Sequence, residues 1–157
     1  MSDARWIEVE GDFEAICTHF AGAARLLDAG GFDDGGIDGY KASMALMHAM
    51  QSGHTSLESG LVRILALLGE ERPQGESWHR DLLRRVCRPV EGREAILPPN
   101  ICEHADEIRR FRNVATRSYD DLRLGGAGIA VASARVLAER LPECLWNFRN
   151  RIDPPET

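Results

Sequence analysis

From residue 40 to residue 68, Met44, Met47, Gln51, His54, Leu57, Leu61, Ile64 and Leu68 recur at steps of three or four. That period keeps one stripe of a helix facing a core, so the spacing predicts a long amphipathic helix here. Its end is marked by Gly-Glu-Glu-Arg-Pro-Gln-Gly, with Pro73 and Gly75 as breakers. Ahead of it, Ile16, Phe20, Ala23, Leu26 and Leu27 predict a helix over 12–28 that stops in the glycine-rich turn 29–39. Ser77 is placed to cap a short helix over 78–86, with Leu82, Leu83 and Val86 inward. The stretch 87–99 reads as a loop. Pro99 and Asn100 open a fourth helix, in which Ile101, Ala105, Ile108, Phe111, Ala115 and Tyr119 share a face. Gly125, Gly126 and Gly128 separate it from a last helix built on Ile129, Ala132, Val136, Leu137, Leu141, Leu145 and Phe148. Pro142 is expected to kink that helix or split it in two, and the tail 153–157 to fray.

No segment alternates apolar and polar residues with the period of a strand. The expected architecture is therefore all-α: an up-and-down antiparallel bundle of about five helices, forming a single domain over 1–157. The acidic stretch 1–14 lacks the basic and apolar regions of a signal peptide. No run of residues is long and apolar enough to span a bilayer. Both points lead to an expectation of a soluble, cytoplasmic protein without membrane contact.

Charge and chemistry refine this picture. The net charge is −6, yet acids outnumber basic side chains more than two to one before residue 80, while 80–123 is net basic. Every cation except Lys41 is arginine, whose planar fork suits bidentate contact with phosphate or carboxylate. Overall acidity disfavours broad nucleic-acid binding; the basic middle third favours a local cleft for it. Cys17, Cys87, Cys102 and Cys144 are widely spaced without a C-x-x-C pair, and are expected to be buried, reduced thiols.

Five histidines raise the question of a metal. His48 and His54 are six residues apart, about 240° around a helix, and do not face one another. No H-E-x-x-H is present, and the histidines are expected to be structural or superficial, with no metal and no cofactor. No Walker loop, dinucleotide fingerprint or G-x-S-x-G elbow occurs. Met44, Met47 and Met50 read as core filler, or else as the lining of a groove for a partner helix. Glu58, mid-helix beside Leu57 and Leu61, is either solvated or a half-buried acid paired with an arginine of the fourth helix.

The segment Arg109-Arg110-Phe111-Arg112-Asn113-Val114-Ala115-Thr116-Arg117-Ser118-Tyr119 places Arg112, Thr116 and Tyr119 near one helix face. By composition alone it is an arginine-rich, solvated helix end, favoured by the helix dipole. Its order, Arg112-Asn113-x-x-x-Arg117-x-Tyr119, resembles the R-N-x-x-x-H-x-Y signature of HEPN-domain proteins, specifically the HepT-like toxin ribonucleases. The methionine-rich second helix with Glu58, the Trp78-His79-Arg80-Asp81-Leu82-Leu83 segment and the Arg-Arg-Phe-Arg helix are similar to that group in order and spacing. The likeness spans most of 40–150; the N-terminal helix is generic.

The resemblance implies a helical bundle that dimerises, so that two motifs meet across the two-fold axis in one RNA-cleaving cleft. It implies metal-independent chemistry, in which the motif His transfers protons at the ribose 2′-hydroxyl and Arg112 steadies the phosphate. Asn113 would help orient the phosphate. Tyr119 would be the adenylylation target of a partner nucleotidyltransferase antitoxin. This chain departs from the pattern at Arg117, which stands where the family has His. A guanidinium with a pKa above ~12 does not shuttle protons near neutrality. Arg117 can still bind phosphate, so RNA cleavage is expected to be impaired. His104, about two turns before Arg112, is a displaced substitute base. The alternative is a non-catalytic helical dimer that binds the antitoxin; a small-molecule or nucleotide binder is a third reading. The RNA target and the antitoxin's identity are not legible in these residues.

Overall fold

A computed structural model describes residues 3–117 and 124–156, with side chains outside 114–126. Five helices follow one another: α1 (Ala4–Ala29), α2 (Ile37–Leu67), α3 (Trp78–Val86), α4 (Pro99–Arg117) and α5 (Leu124–Ile152). No strand occurs among the described residues, only an isolated bridge between Val90 and Arg93. The architecture is the all-α bundle that the helical periodicity predicts.

Helix α1 begins eight residues before the predicted start at residue 12. Asp3 caps it by accepting from the Arg5 amide at 3.0 Å, and Trp6 and Val9 continue the buried stripe of Phe13, Ile16 and Phe20. Asp12 and Glu8 of α1 meet Arg63 of α2, while Phe20 meets Gly53 and Phe13 meets Gly60. Rising numbers on one helix meet falling numbers on the other, so α1 and α2 are antiparallel. The two glycines are seven apart, as are the two phenylalanines. Each aromatic ring seats over a position without a side chain, which brings the backbones close.

Helix α5 covers the other side of α1, again antiparallel: Arg149 pairs with Glu10, and Arg135 with Asp28. Asp153 does not fray. It accepts from Arg5 at 2.8 Å and from the Trp6 indole at 3.3 Å, tying the end of α5 to the start of α1. Pro142 does not split α5. A proline has no N–H for the carbonyl four residues back, and that carbonyl, Ala138, instead lies 3.4 Å from the Cys17 thiol of α1. The glycines at 125, 126 and 128 lie inside the first turns of α5 rather than before it. Ala127, Ala130, Val131 and Ala134 form its buried face, while Ile129 and Ala132, expected inward, face out. Over the first part of α5 the inward stripe is made of alanines and Val131, while Leu137, Leu141 and Phe148 further along are buried as expected.

Helix α4 packs on α5 and touches α2 and α3. Ser77 sits at the start of α3 but does not cap it with its side chain; the hydroxyl donates to Asp81 at 2.9 Å. The loop 87–98 is more organised than its prolines suggest. Arg93, nearly buried, pairs with Glu70 and donates to the carbonyls of Arg85, Arg88 and Glu94. Ile96 and Leu97 are buried, and their amides bond the Val86 carbonyl. This return brings Cys102 back to Cys87 with the Cα atoms 6.0 Å apart, and the two form a disulfide. Two of the four cysteines expected to be reduced are therefore oxidised. Their separation of 15 residues hid a pairing that the loop closes in space. Cys17 and Cys144 are free thiols, and burial pushes both up from the usual thiol range. No described helix is long and apolar enough to cross a membrane.

Candidate functional site

Helix periodicity puts His54 and Glu58 one turn apart on α2, on the same side as Leu57 and Leu61. Both are buried, His54 at 1% and Glu58 at 9% exposure. The start of α3 then lays Trp78 and His79 across this turn. His79 Nδ1 makes a short contact with Glu58 Oε2, and His54 Nε2 lies 3.3 Å from Glu58 Oε1. The Glu58 carboxylate is thus held between two imidazoles from two helices. It is neither solvated nor paired with an arginine of α4, the two expectations for it. Burial pushes its carboxyl up, but attraction to His54 and then His79 outweighs this, and the group sits below the ordinary carboxylate range.

His54 is unusual in this cluster. Neither ring nitrogen has a hydrogen-bond partner, because the approach to Glu58 is close but poorly aligned. Trp78 packs on His79 with ring centroids 3.8 Å apart, and the Arg72 guanidinium lies 4.8 Å from the centre of a Trp78 ring. A pocket of about 500 Å³ opens here, lined by Glu58, Arg63, Arg72, Trp78, His79 and Arg112 among others. Arg63 is partly neutralised by Asp12 at 2.8 Å and by Glu8. The pocket therefore has arginines from three parts of the chain, an indole face, and an imidazole fixed by an acid. Chemically it can bind a phosphate, stack a base, and either move a proton or hold a cation.

The structure brings Arg112 to this pocket and leaves Asn113 half-buried beside it on α4. Arg117 is the last residue of α4, its side chain lies outside the described residues, and so does Tyr119. His104 is not at the pocket. Its Nδ1 lies 3.0 Å from the Ser133 hydroxyl, facing α5. His48 and His54 do not meet; His48 lies against His19 of α1. Spacing along α2 does not reveal this cluster, because His79 comes from another helix, α3. The available signal is the Trp78-His79 pair just after the helix stop at Pro73 and Gly75, following a long helix that carries a mid-face acid.

Residues 45–152 match the family model described as HepT-like protein. The match runs from early α2 to the end of α5, takes in every residue of the His54–Glu58–His79 cluster and Arg112, and leaves α1 outside. No curated protein and no solved structure matches the chain.

Proposed function

The chain belongs to the HepT-like protein family, and from that premise we propose that it is a HEPN-type toxin module acting on RNA. Arg112 and Asn113 contact the phosphate, and Arg117 adds cationic charge to the same cleft. The observation that carries this reading is Arg112 lining one pocket together with Trp78. A guanidinium suits the phosphodiester and an indole suits a stacked base, and single-stranded RNA offers both.

Cleavage by the ribose 2′-hydroxyl needs a group that takes its proton as the oxygen attacks phosphorus. The 5′-oxygen then leaves with a proton in its turn. Arg117 takes no proton near neutrality, so the cleft binds RNA better than it cuts it. Two copies of the chain form the cleft, with the 112–119 segments facing each other across a two-fold axis. Tyr119 is the site at which a partner nucleotidyltransferase antitoxin adenylylates the chain, and the added phosphate charge competes with RNA for Arg112.

The test is Arg117→His, assayed for cleavage of single-stranded RNA beside the parent. Imidazole, with an ordinary pKa near ~6.5, both takes and gives a proton. General acid–base catalysis contributes roughly 10²–10⁴-fold, so the variant should cleave at least ~10²-fold faster. Equal rates would show that position 117 has no proton-transfer role.

A further inference from the structure

We infer that His54, Glu58 and His79 form a binding site for a divalent transition-metal ion of the zinc class. One nitrogen of each histidine and one oxygen of Glu58 lie within 4.8 Å of one another. Donors sharing one ion at bonds of ~2.0–2.1 Å stand about 3.4 Å apart in a tetrahedral arrangement, so rotation of the side chains, with His79 drawing back from its short contact with Glu58, would seat three donors on one ion. His54 Nε2 and Glu58 Oε1 already stand at 3.3 Å.

Three observations favour an ion over a purely hydrogen-bonded cluster. First, His54 is buried with neither ring nitrogen in a hydrogen bond, a state that folded proteins avoid, and a metal bond would satisfy one of the two. A proton-transfer pair of Glu58 and His79 would keep His54 only as a neighbouring charge on Glu58, with both of its nitrogens outside any hydrogen bond. Second, two histidines and a glutamate are a donor set that zinc uses with a coordination position left for water or substrate. Third, that position has somewhere to open. Glu58 and His79 line the pocket that Arg112 also lines, so an exchangeable ligand would stand beside the Arg112 guanidinium. The neighbouring cations are partly offset, since Asp12 and Glu8 pair with Arg63 and Arg72 rests on Trp78.

The ion would anchor the start of α3 to the middle of α2. It would also add a cationic contact for a phosphate oxygen at the pocket floor. The site is independent of the RNA reading: the ion can bind whether or not the chain binds RNA.

The experiment uses the full chain, stripped with a chelator and titrated calorimetrically with Zn²⁺ alone, then with Co²⁺ to follow the visible absorption of the bound ion. The expected result is one ion per chain. Glu58→Gln and His79→Asn should each weaken binding by at least ~100-fold, more than the usual cost of losing a residue that only supports a ligand. His79 is partly exposed, so His79→Asn should stay folded by circular dichroism if Glu58→Gln does not. Inorganic phosphate added to the Co²⁺ form should shift its spectrum, and Arg112→Ala should reduce that shift while keeping the ion. Absence of binding by the parent would overturn the site, as would unchanged Zn²⁺ affinity in His79→Asn. A bound ion whose spectrum ignores phosphate would overturn the open position facing Arg112.

Discussion

Gly53→Ala tests a close helix contact, the seat of Phe20 of α1 on α2. A Cβ at residue 53 would lie 2.3 Å from Phe20 Cε1 and 2.4 Å from Cδ1, where ordinary contact is 3.4–4 Å. The overlap exceeds 1 Å, and Phe20 is fully buried, so its ring has no open side to swing into. Relief must come from pushing α1 off α2 or from an off-rotamer ring. Overpacking of this kind costs about 1–3 kcal/mol, and a deep overlap on a fixed ring belongs at the upper end. Against this, alanine gains up to ~1 kcal/mol of helix propensity over glycine. The net expectation is a loss of about 2 kcal/mol, or roughly 4–8 °C in Tm for a chain of this size. Gly22→Ala is the control. It lies within α1 with nothing within 4 Å of the added atom, so only the propensity gain remains and Tm should rise by roughly 2–4 °C. Thermal and urea unfolding of the three proteins, followed by circular dichroism, read both effects. If Gly53→Ala is as stable as Gly22→Ala, α1 does not seat Phe20 on Gly53.

Three further outcomes are expected. Arg112→Ala should lower affinity for single-stranded RNA at low salt by roughly 10–100-fold, the worth of one charge-assisted hydrogen bond; equal affinity would show that Arg112 makes no contact with the RNA. Reduction of Cys87–Cys102, or Cys102→Ser, reopens a loop of about 15 residues and should destabilise the chain by ~3 kcal/mol in urea unfolding, whereas overlapping curves with and without reductant would mean the bridge contributes nothing. Glu58 has a lowered folded pKa, so its contribution to stability is full above its unfolded value of about 4.3 and is lost as pH falls through the folded value. Comparing parent and Glu58→Gln from pH 7 to pH 3, the gap in urea midpoint should narrow toward acid, and a gap independent of pH would show that the carboxylate charge is not what His54 and His79 stabilise.

The sequence alone determined the helices, because helix formation and the burial of one face follow from relations three and four residues apart. The bounds of α3, the opening of α4 at Pro99 and the long α2 were all legible this way, as was the resemblance to the HepT-like family. What needed the tertiary structure was every relation between helices. A run of spacings says which side chains share a face, but not which other face it meets. Glu58 was visible as a mid-face acid, while its partner His79 depended on where the turn after Pro73 laid α3 across α2. Cys87 and Cys102 were too far apart along the chain to be paired by spacing, and became neighbours once Arg93 and the Val86 carbonyl had folded the loop back. Nothing along the chain marks Gly53 and Gly60, and only the packing shows Phe20 and Phe13 filling the space above them. Pro142 was expected to kink or split its helix, and α5 is not split there: α1 brings the Cys17 thiol to the carbonyl that proline leaves without its amide. In each case the deciding contact depends on the phase and direction in which two helices pack, and packing is set by the fit of whole faces rather than by any local run of residues.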